Sequence, residues 1–229
     1  MSHLHRVAQA TDHLLRTVGR WQEGEQHEPS LCPGWTRGHV LTHLARNADG
    51  LGRLVRAAVQ DSGETMYPSV AARAVDIEVG AGRPLAELVE DLGDAANRLA
   101  GELARLTPEH GDIPVERTPG GPTFRAGQLP FLRLREVVYH HGDLDAGFGF
   151  GDLSPELVRM FLDEEVARLR STPLAPAVRL RTDEGEEHSL GDAPVEVSGS
   201  RAALLGWLAR GLTEGVRCDG PLPTLPSGG

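Results

Sequence analysis

Apolar residues recur at alternating steps of three and four through the first 146 residues, and this spacing limits the possible folds more than any other feature of the chain. One such stretch ends just before Pro108, and its periodic positions are Leu85, Leu88, Leu92, Ala95, Leu99, Leu103 and Leu106. Another begins near the N-terminus, with Leu4, Val7, Thr11, Leu14, Val18 and Trp21. This periodicity is typical of amphipathic α-helices, and proline commonly follows a helix end.

Two further helical segments carry histidine. They are residues 31–51, "LCPGWTRGHVLTHLARNADGL", and residues 132–148, "LRLREVVYHHGDLDAGF". Together with the first two stretches they make four long amphipathic helices, which is the count of a four-helix bundle. Residues 66–82 predict a shorter extra helix in a crossover connection. We therefore predict a helical bundle over residues 1–149.

The pattern changes after about residue 150. Ser154 and Pro155 are typical of a helix start, and this helix is expected to end near Leu169. Short alternating runs follow, separated by Asp-Glu-Gly and Gly-Asp turns, and these predict strands. Residues 200–211 predict another helix, and residues 215–220 a last short strand. The sequence thus predicts an α+β protein in which residues 150–229 form a small α/β domain after the bundle.

The charge of the chain excludes several classes of partner. The net charge is −10, from 33 acidic and 23 basic residues, whereas nucleic acids and anionic membranes are bound through basic patches. No apolar run approaches the roughly 20 residues of a membrane span, and no export signal is visible, so we expect a cytoplasmic protein. Cys32 and Cys218 are far apart in the sequence, which in a cytosolic chain predicts two thiols rather than a disulfide.

The first histidine-bearing helix has polar side chains on its apolar face. Thr36 is expected to cap its start. At about 100° per residue, His43 and Asn47 fall within the face that Val40 defines. The other members of that face are Leu44, Leu51, Leu54, Val55 and Ala58. His43 should therefore point into the bundle, and Asn47 should be buried with hydrogen-bond partners. His39 lies at the edge, so it either lines the same cavity or lies at its rim.

In the second histidine-bearing helix, Glu136 and His140 share one face at positions i and i+4. A carboxylate on a buried face needs a cation or a proton, and a metal held by His43, Glu136 and His140 would supply the cation. Two histidines and one carboxylate with an open fourth position suit catalytic zinc, and ferrous iron accepts the same donors. The alternative is an ordinary ion pair at this spacing. Asp143 is expected to be a turn or cap residue past the helix end rather than a ligand.

Three stretches carry a resemblance to a known family: "PGWTRGHVLTHLARNADGL", "MYPSVAARAVDIEVGAGRP" and "RLREVVYHHGDLDAGFG". They resemble the mycothiol-dependent maleylpyruvate isomerase family, whose N-terminal part belongs to the wider DinB-like metal-binding four-helix bundles. The resemblance covers nearly the whole chain and includes the ending "LLGWLARG" and "GPLPTLP". It implies a zinc ion, or another divalent metal, at His43, Glu136 and His140.

The resemblance also implies a reaction. The thiol of mycothiol would act as cosubstrate, and its thiolate would add to the double bond of maleylpyruvate. The resulting single bond would rotate, and elimination would give fumarylpyruvate. Two alternatives are a thiol S-transferase that conjugates an electrophile and a metal-binding bundle without catalysis. We expect a monomer whose partners are a small electrophile and a low-molecular-weight thiol, with Asn47 and His39 contributing to the binding of that thiol.

One feature departs from the family pattern. The resemblance implies an arginine after a Trp-Leu helix of the C-terminal domain, in a segment that typically closes with Gly-Arg. Here the segment reads "GWLARG", so Arg210 precedes Gly211 and is displaced by about one position. A guanidinium group can bind a carboxylate through two hydrogen bonds. Arg210 is therefore the candidate catalytic residue, and the alternative is an ordinary surface arginine.

Overall fold

The computed structural model describes residues 2–173, 175–192 and 194–226. It has the predicted α+β fold, with helices followed by a small sheet and further helices. The chain divides into two compact units, Met1–Gly147 and Phe148–Gly229.

The described part of the first unit contains five α-helices. They are α1 (His3–Val18), α2 (Arg37–Gln60), α3 (Val70–Ala81), α4 (Leu85–Leu103) and α5 (Leu129–Asp143). The four long helices α1, α2, α4 and α5 pack against one another as a bundle, since α2 contacts both α4 and α5, and α1 also contacts both. The helix α3 is the predicted shorter one. The sequence periodicity therefore predicted both the number and the order of the helices correctly.

The core of the first unit consists of the predicted apolar faces. Every periodic position of α4 is buried from Leu85 to Leu103. In α1 the face is buried at Thr11, Leu14 and Val18, but Leu4 is 41% exposed because the first turn of the helix contributes nothing to the core.

The helices α2 and α3 approach each other closely through two glycines. A side chain at Gly38 would collide with the carbonyl oxygen of Ala81, and one at Gly80 would collide with the side chain of Thr42. Because neither glycine has a Cβ atom, the two helix backbones can lie closer together than larger residues would permit. Arg73 lies on the same helix α3, near its start.

A short hairpin in the first unit was not predicted. Its strands are β1 (Pro114–Glu116) and β2 (Thr123–Arg125), which pair antiparallel, and Val115 is buried. Strands of three residues are too short to produce a recognisable alternating pattern.

The second unit follows the predicted order of elements. Its described helices are α6 (Pro155–Arg170) and α7 (Arg201–Arg210), and its strands are β3 (Val178–Thr182), β4 (Glu187–Leu190), β5 (Val195–Gly199) and β6 (Arg217–Cys218). The strand order in the sheet is β4-β3-β5-β6, with β3 and β5 parallel and the outer pairs antiparallel. As predicted, Ser154 caps α6, where its side chain accepts a hydrogen bond from the backbone N–H of Leu157.

Membrane-spanning helices and disulfide bonds were both unexpected from the sequence. Among residues 2–173, 175–192 and 194–226, no helix has both the length and the apolar composition that crossing a membrane requires. Neither Cys32 nor Cys218 takes part in a disulfide bond in the described part of the chain.

Candidate metal centre

Three side chains from two helices converge inside the first unit. Atom Nε2 of His43 lies 2.9 Å from Oε2 of Glu136, and that oxygen lies 3.7 Å from Nε2 of His140. The ligand atoms of all three residues lie within 4.8 Å of one another. The two imidazole rings meet edge to face with 4.6 Å between their centroids. The structure thus brings together the three residues that the sequence analysis selected.

The local sequence explains how each helix positions its ligands. Helix α2 begins directly after Thr36, whose side chain accepts a hydrogen bond from the backbone N–H of His39. This start places His43 on the buried face, where its side chain is 4% exposed. In α5 the spacing of four residues places Glu136 and His140 one above the other. The cluster therefore follows from one helix start and one i, i+4 pair.

The second ring nitrogen of His140 has a carboxylate partner. Atom Nδ1 lies 2.8 Å from Oδ2 of Asp143, and the Cys32 thiol donates to the same oxygen at 3.4 Å. The prediction that Asp143 follows the helix end was wrong, since it is the last residue of α5 and is 2% exposed. With Nδ1–H donated to Asp143, the lone pair of His140 lies on Nε2, which faces Glu136. A carboxylate behind a ligating histidine is the usual second partner of such a ligand.

Cys32, His140 and Asp143 also form a second group of possible metal donors. The Cys32 sulfur lies 3.9 Å from Nδ1 of His140. Both groups share His140, but they would use different ring nitrogens. The 2.8 Å separation of Nδ1 and Asp143 is a hydrogen-bond distance. We therefore assign the metal to the group that faces Nε2, which consists of His43, Glu136 and His140.

The protonation states of the cluster suit a divalent cation. Burial lowers the pKa of His43 to about 4, although the hydrogen bond to Glu136 opposes that effect. For Glu136, burial alone would raise the pKa, but the hydrogen bond from the His43 imidazole holds the pKa below its ordinary value. At neutral pH the site therefore offers a carboxylate and a neutral His43 imidazole, which are the ionic forms that bind metals.

The distances also fit an ion of this kind. Zinc binds histidine and carboxylate at about 2.0–2.1 Å, which places tetrahedral ligand atoms roughly 3.3 Å apart. The observed separations of 2.9 Å and 3.7 Å lie on either side of that value. Three protein ligands would leave a coordination position for an external group, as in catalytic rather than structural sites. The same donors accept ferrous iron, so the ligand types alone do not choose the metal.

Arg73 contacts the cluster from α3 and was not selected from the sequence. Its Nη2 lies 3.1 Å from Nδ1 of His43, and its guanidinium carbon lies 5.7 Å from the centroid of the Tyr67 ring. Arginine is common in this chain, so composition gave no reason to choose this one. The only signal was its position within "MYPSVAARAVDIEVGAGRP", one of the stretches that carry the family resemblance.

His39 lies outside the three-residue cluster. Its Nδ1 accepts the backbone N–H of Thr36 at 3.1 Å, which completes a reciprocal cap at the start of α2. Its Nε2 lies 3.2 Å from a carboxylate oxygen of Glu78, and its ring stacks on Trp35. Both ring nitrogens of His39 therefore have partners within the protein, and its contribution to thiol binding stays a prediction.

Asn47 is buried, as its position on the apolar face predicted, and its partner is an arginine. Its Oδ1 accepts a hydrogen bond from Nη1 of Arg133 at 2.9 Å, and the same nitrogen donates to the carbonyl of Leu44 at 2.8 Å. Arg133 is only 1% exposed. The position of Asn47 on the apolar face indicates that it needs a partner but does not identify Arg133, because arginine is rarely buried. A role of Asn47 in thiol binding stays a prediction.

Arg210 is the last residue of α7, in the second unit. It is exposed, and its Nη1 donates to the carbonyl oxygen of Ala209 at 3.0 Å. The residue after it, Gly211, has a φ angle of 70°, which ends the helix in the left-handed conformation that glycine favours. The position of Arg210 at a helix end thus has a local explanation, and its catalytic role stays a prediction.

The fold and the cluster define a class of protein, an α+β protein whose helical bundle carries a candidate centre for a single divalent metal. Residues 7–145 match the family described as the mycothiol maleylpyruvate isomerase N-terminal domain. The chain belongs to this family, and the resemblance seen in the sequence is confirmed.

Two solved structures are similar to the chain over nearly its whole length. One is the crystal structure of a mycothiol-dependent maleylpyruvate isomerase, which is 28% identical and has a TM-score of 0.89, covering 98% of this chain and 95% of that chain. The other is a mutant of an enzyme of the same name in which alanine replaces a histidine, with 27% identity, a TM-score of 0.88 and the same coverage. No curated protein matches the chain.

Proposed function

We propose that the protein is a metal-dependent isomerase that uses mycothiol to convert maleylpyruvate to fumarylpyruvate. The observation that carries the proposal is the convergence of His43, Glu136 and His140 on one point in the bundle. The similarity to a mycothiol-dependent maleylpyruvate isomerase over 98% of the chain supports the choice of thiol and substrate. We propose zinc as the metal. A cytoplasmic location and a monomeric state remain predictions from the sequence.

Each residue of the cluster has a distinct task in this proposal. A divalent ion held by His43, Glu136 and His140 would favour the deprotonated form of a thiol and so supply a thiolate nucleophile. Glu136 contributes the negative charge of the site, and His43 stays neutral because it is buried. Asp143 accepts a hydrogen bond from Nδ1–H of His140 and thereby keeps the Nε2 lone pair directed at the site.

The isomerisation needs no proton transfer from the protein. The sulfur forms a bond to one alkene carbon while the π electrons move onto the conjugated carbonyl group. The carbon–carbon bond is then single and can rotate, and expulsion of the sulfur restores the double bond in the trans form. Positioning the thiol and the electrophile side by side is the main contribution that the protein has to make.

The same metal ligands would suit a hydrolase, but that reaction needs a general base beside the site. His39 and Asp143 are two candidates for such a base on the helices that carry the cluster. His39 uses its ring nitrogens for Thr36 and Glu78, and the Asp143 carboxylate accepts hydrogen bonds from His140 and Cys32. Their existing partners favour a thiol nucleophile, which needs no such base, over water.

The test is turnover of maleylpyruvate by purified protein, with mycothiol and zinc each supplied or omitted. We expect fumarylpyruvate only when both are present. Accumulation of a stable thiol adduct, detected by mass spectrometry, would identify an S-transferase instead. Consumption of maleylpyruvate without thiol would refute the proposed mechanism in favour of a water-based reaction.

Variants test the metal assignment separately from the reaction. The double variant His43→Ala/His140→Ala should lose the roughly one equivalent of metal expected by elemental analysis. The matched control is His5→Ala, which removes an exposed histidine of α1 and should retain the metal. Unchanged metal content in the double variant would contradict the assignment.

A further inference from the structure

Arg73 lies at the candidate metal centre, and the proposed reaction does not yet assign it a role. It is half-buried on α3, and its Nη2 lies 3.1 Å from Nδ1 of His43. Its Nε is buried and has no hydrogen-bond partner among the described residues. Its guanidinium carbon lies 5.7 Å from the centre of the buried Tyr67 ring. The group thus carries a positive charge next to a predicted metal ligand.

The surroundings of Arg73 differ from those of most other arginines in the first unit. Arg46 and Arg83 both pair with the carboxylate of Asp91, and Arg56 pairs with Glu64. No carboxylate among the residues that the structure describes pairs with Arg73, although the chain carries a net charge of −10. A guanidinium group is a donor only and binds carboxylates best. Arg73 meets an imidazole nitrogen and the Tyr67 side chain, to which it also hydrogen-bonds, so its charge is not neutralised by a carboxylate and it has capacity for an anion from outside.

The contact between Arg73 and His43 constrains the tautomer of the imidazole. Because arginine can only donate, Nδ1 of His43 must carry the lone pair, and the proton then lies on Nε2, directed at Glu136. Ligation of a metal through Nε2 requires the opposite tautomer, with the proton on Nδ1. Two donors would then face each other at 3.1 Å. Arg73 therefore cannot keep its hydrogen bond to His43 while His43 ligates a metal through Nε2.

We propose that Arg73 binds the carboxylate of the electrophilic substrate. When His43 ligates the metal, Arg73 gives up its hydrogen bond to His43 and donates to that carboxylate instead. The inference rests on the proposed function, since it assumes that the site takes an unsaturated acid. Helix α3 is held against α2 at Gly38 and Gly80, so the exchange needs only a rotation of the Arg73 side chain. The substrate class that this predicts is an alkene with a carboxylate close to the reacting double bond.

The experiment compares Arg73→Met and Arg73→Lys with a control variant, Arg16→Met. The control removes an exposed arginine of α1 that pairs with Asp12 and not with the cluster. Zinc content and zinc affinity are measured first. Binding of succinate, which resembles the substrate but cannot react, is then measured by calorimetry on the zinc-loaded proteins. Steady-state kinetics with maleylpyruvate and with a neutral ester electrophile complete the set.

We expect Arg73→Met to bind zinc at least as tightly as the unchanged protein, because the competing hydrogen bond to His43 is gone. Succinate affinity should fall about 10- to 100-fold, the range expected for lost hydrogen bonds to a charged group. The KM for maleylpyruvate should rise by a similar factor, while the KM for the ester should not change. Arg73→Lys should retain part of the succinate affinity, and Arg16→Met all of it.

Two results would overturn the inference. One is unchanged succinate affinity in Arg73→Met at full zinc content. The other is a loss of zinc from both Arg73 variants, which would show that the arginine supports His43 structurally. The proposed function fails in a different way, through absence of thiol-dependent turnover in the unchanged protein. If succinate binding still depends on Arg73 in that case, the anion site is supported although the proposed reaction is not.

Discussion

The buried pair of Arg133 and Asn47 allows a quantitative test of how the bundle tolerates a charge in its core. Burial lowers the pKa of Arg133 to about 10, so the guanidinium group stays charged at neutral pH. Its Nη1 donates to Asn47 and to the Leu44 carbonyl, whereas its Nη2 is buried without a hydrogen-bond partner among the described residues. The perturbations are Asn47→Leu, Arg133→Met and the double variant, each of which replaces a polar group by an apolar one of similar size.

The expected costs differ between the three variants. Asn47→Leu removes a hydrogen bond to a charged group and leaves the cation with one protein acceptor, which should lower the free energy of unfolding by about 2–4 kcal/mol. Arg133→Met leaves the Asn47 amide without its donor but removes the buried charge, for a net loss of about 1–2 kcal/mol. The double variant leaves neither group behind, so its loss should be below about 1 kcal/mol.

The assay is urea denaturation of metal-free protein at pH 7, followed by tryptophan fluorescence. A Trp207→Phe background removes the tryptophan of the second unit, so that Trp21 and Trp35 report on the first unit alone. We expect a coupling energy of about 2 kcal/mol or more between the two sites. Single-variant losses that add within about 0.5 kcal/mol in the double variant would refute the reasoning, because they would mean that the two side chains do not depend on each other.

Three other predictions concern the same unit. Burial lowers the pKa of His43 to about 4, below the usual 6.5 of an unfolded chain. The contribution of His43 to the stability of the metal-free protein should therefore be constant above about pH 6.5 and fall by roughly 3 kcal/mol towards pH 4, measured by urea titrations as the difference from His43→Gln. Asp143→Asn should weaken zinc binding about 10- to 100-fold in a chelator competition, whereas Cys32→Ala should change it less than about 3-fold; equal effects would contradict the assignment of Asp143. Gly80→Ala should cost about 1–2 kcal/mol through overlap with α2, whereas Gly82→Ala, which meets open space, should change stability by less than about 0.5 kcal/mol, measured as urea midpoints.

The helices and the metal ligands could be predicted from the sequence because they depend on local periodicity. The face of α4 from Leu85 to Leu103 is buried at every periodic position. The same periodicity placed His43 inside the bundle and stacked Glu136 on His140. A spacing of three or four residues fixes which side chains share a face, whatever the partner helix is. Long helices with clear apolar stripes are therefore predictable without tertiary information.

The contacts that complete the site depend on packing between helices and could not be predicted in this way. Arg73 reaches His43 from α3, which lies against α2 at two glycines, and no periodicity within α3 indicates that approach. Arg133 was missed since its burial depends on Asn47, a residue 86 positions away. Asp143 was taken for a turn residue because its hydrogen bonds to His140 and Cys32 are visible only once the helix end is known.

Four of the polar residues of α5 lie along one line of the helix and are explained together. Arg133, Glu136, His140 and Asp143 follow one another at steps of three, four and three, so they form one continuous stripe along the helix. In an ordinary bundle this stripe would be apolar, and apolar residues of similar volume are often as stable as buried charges or more so. Here each member has a partner: Asn47 for Arg133, His43 for Glu136, Asp143 for His140 and Cys32 for Asp143. A stripe in which every polar residue has a hydrogen-bond partner, at positions where apolar residues are often as stable or more so, is the arrangement expected where stability has been given up for a binding site.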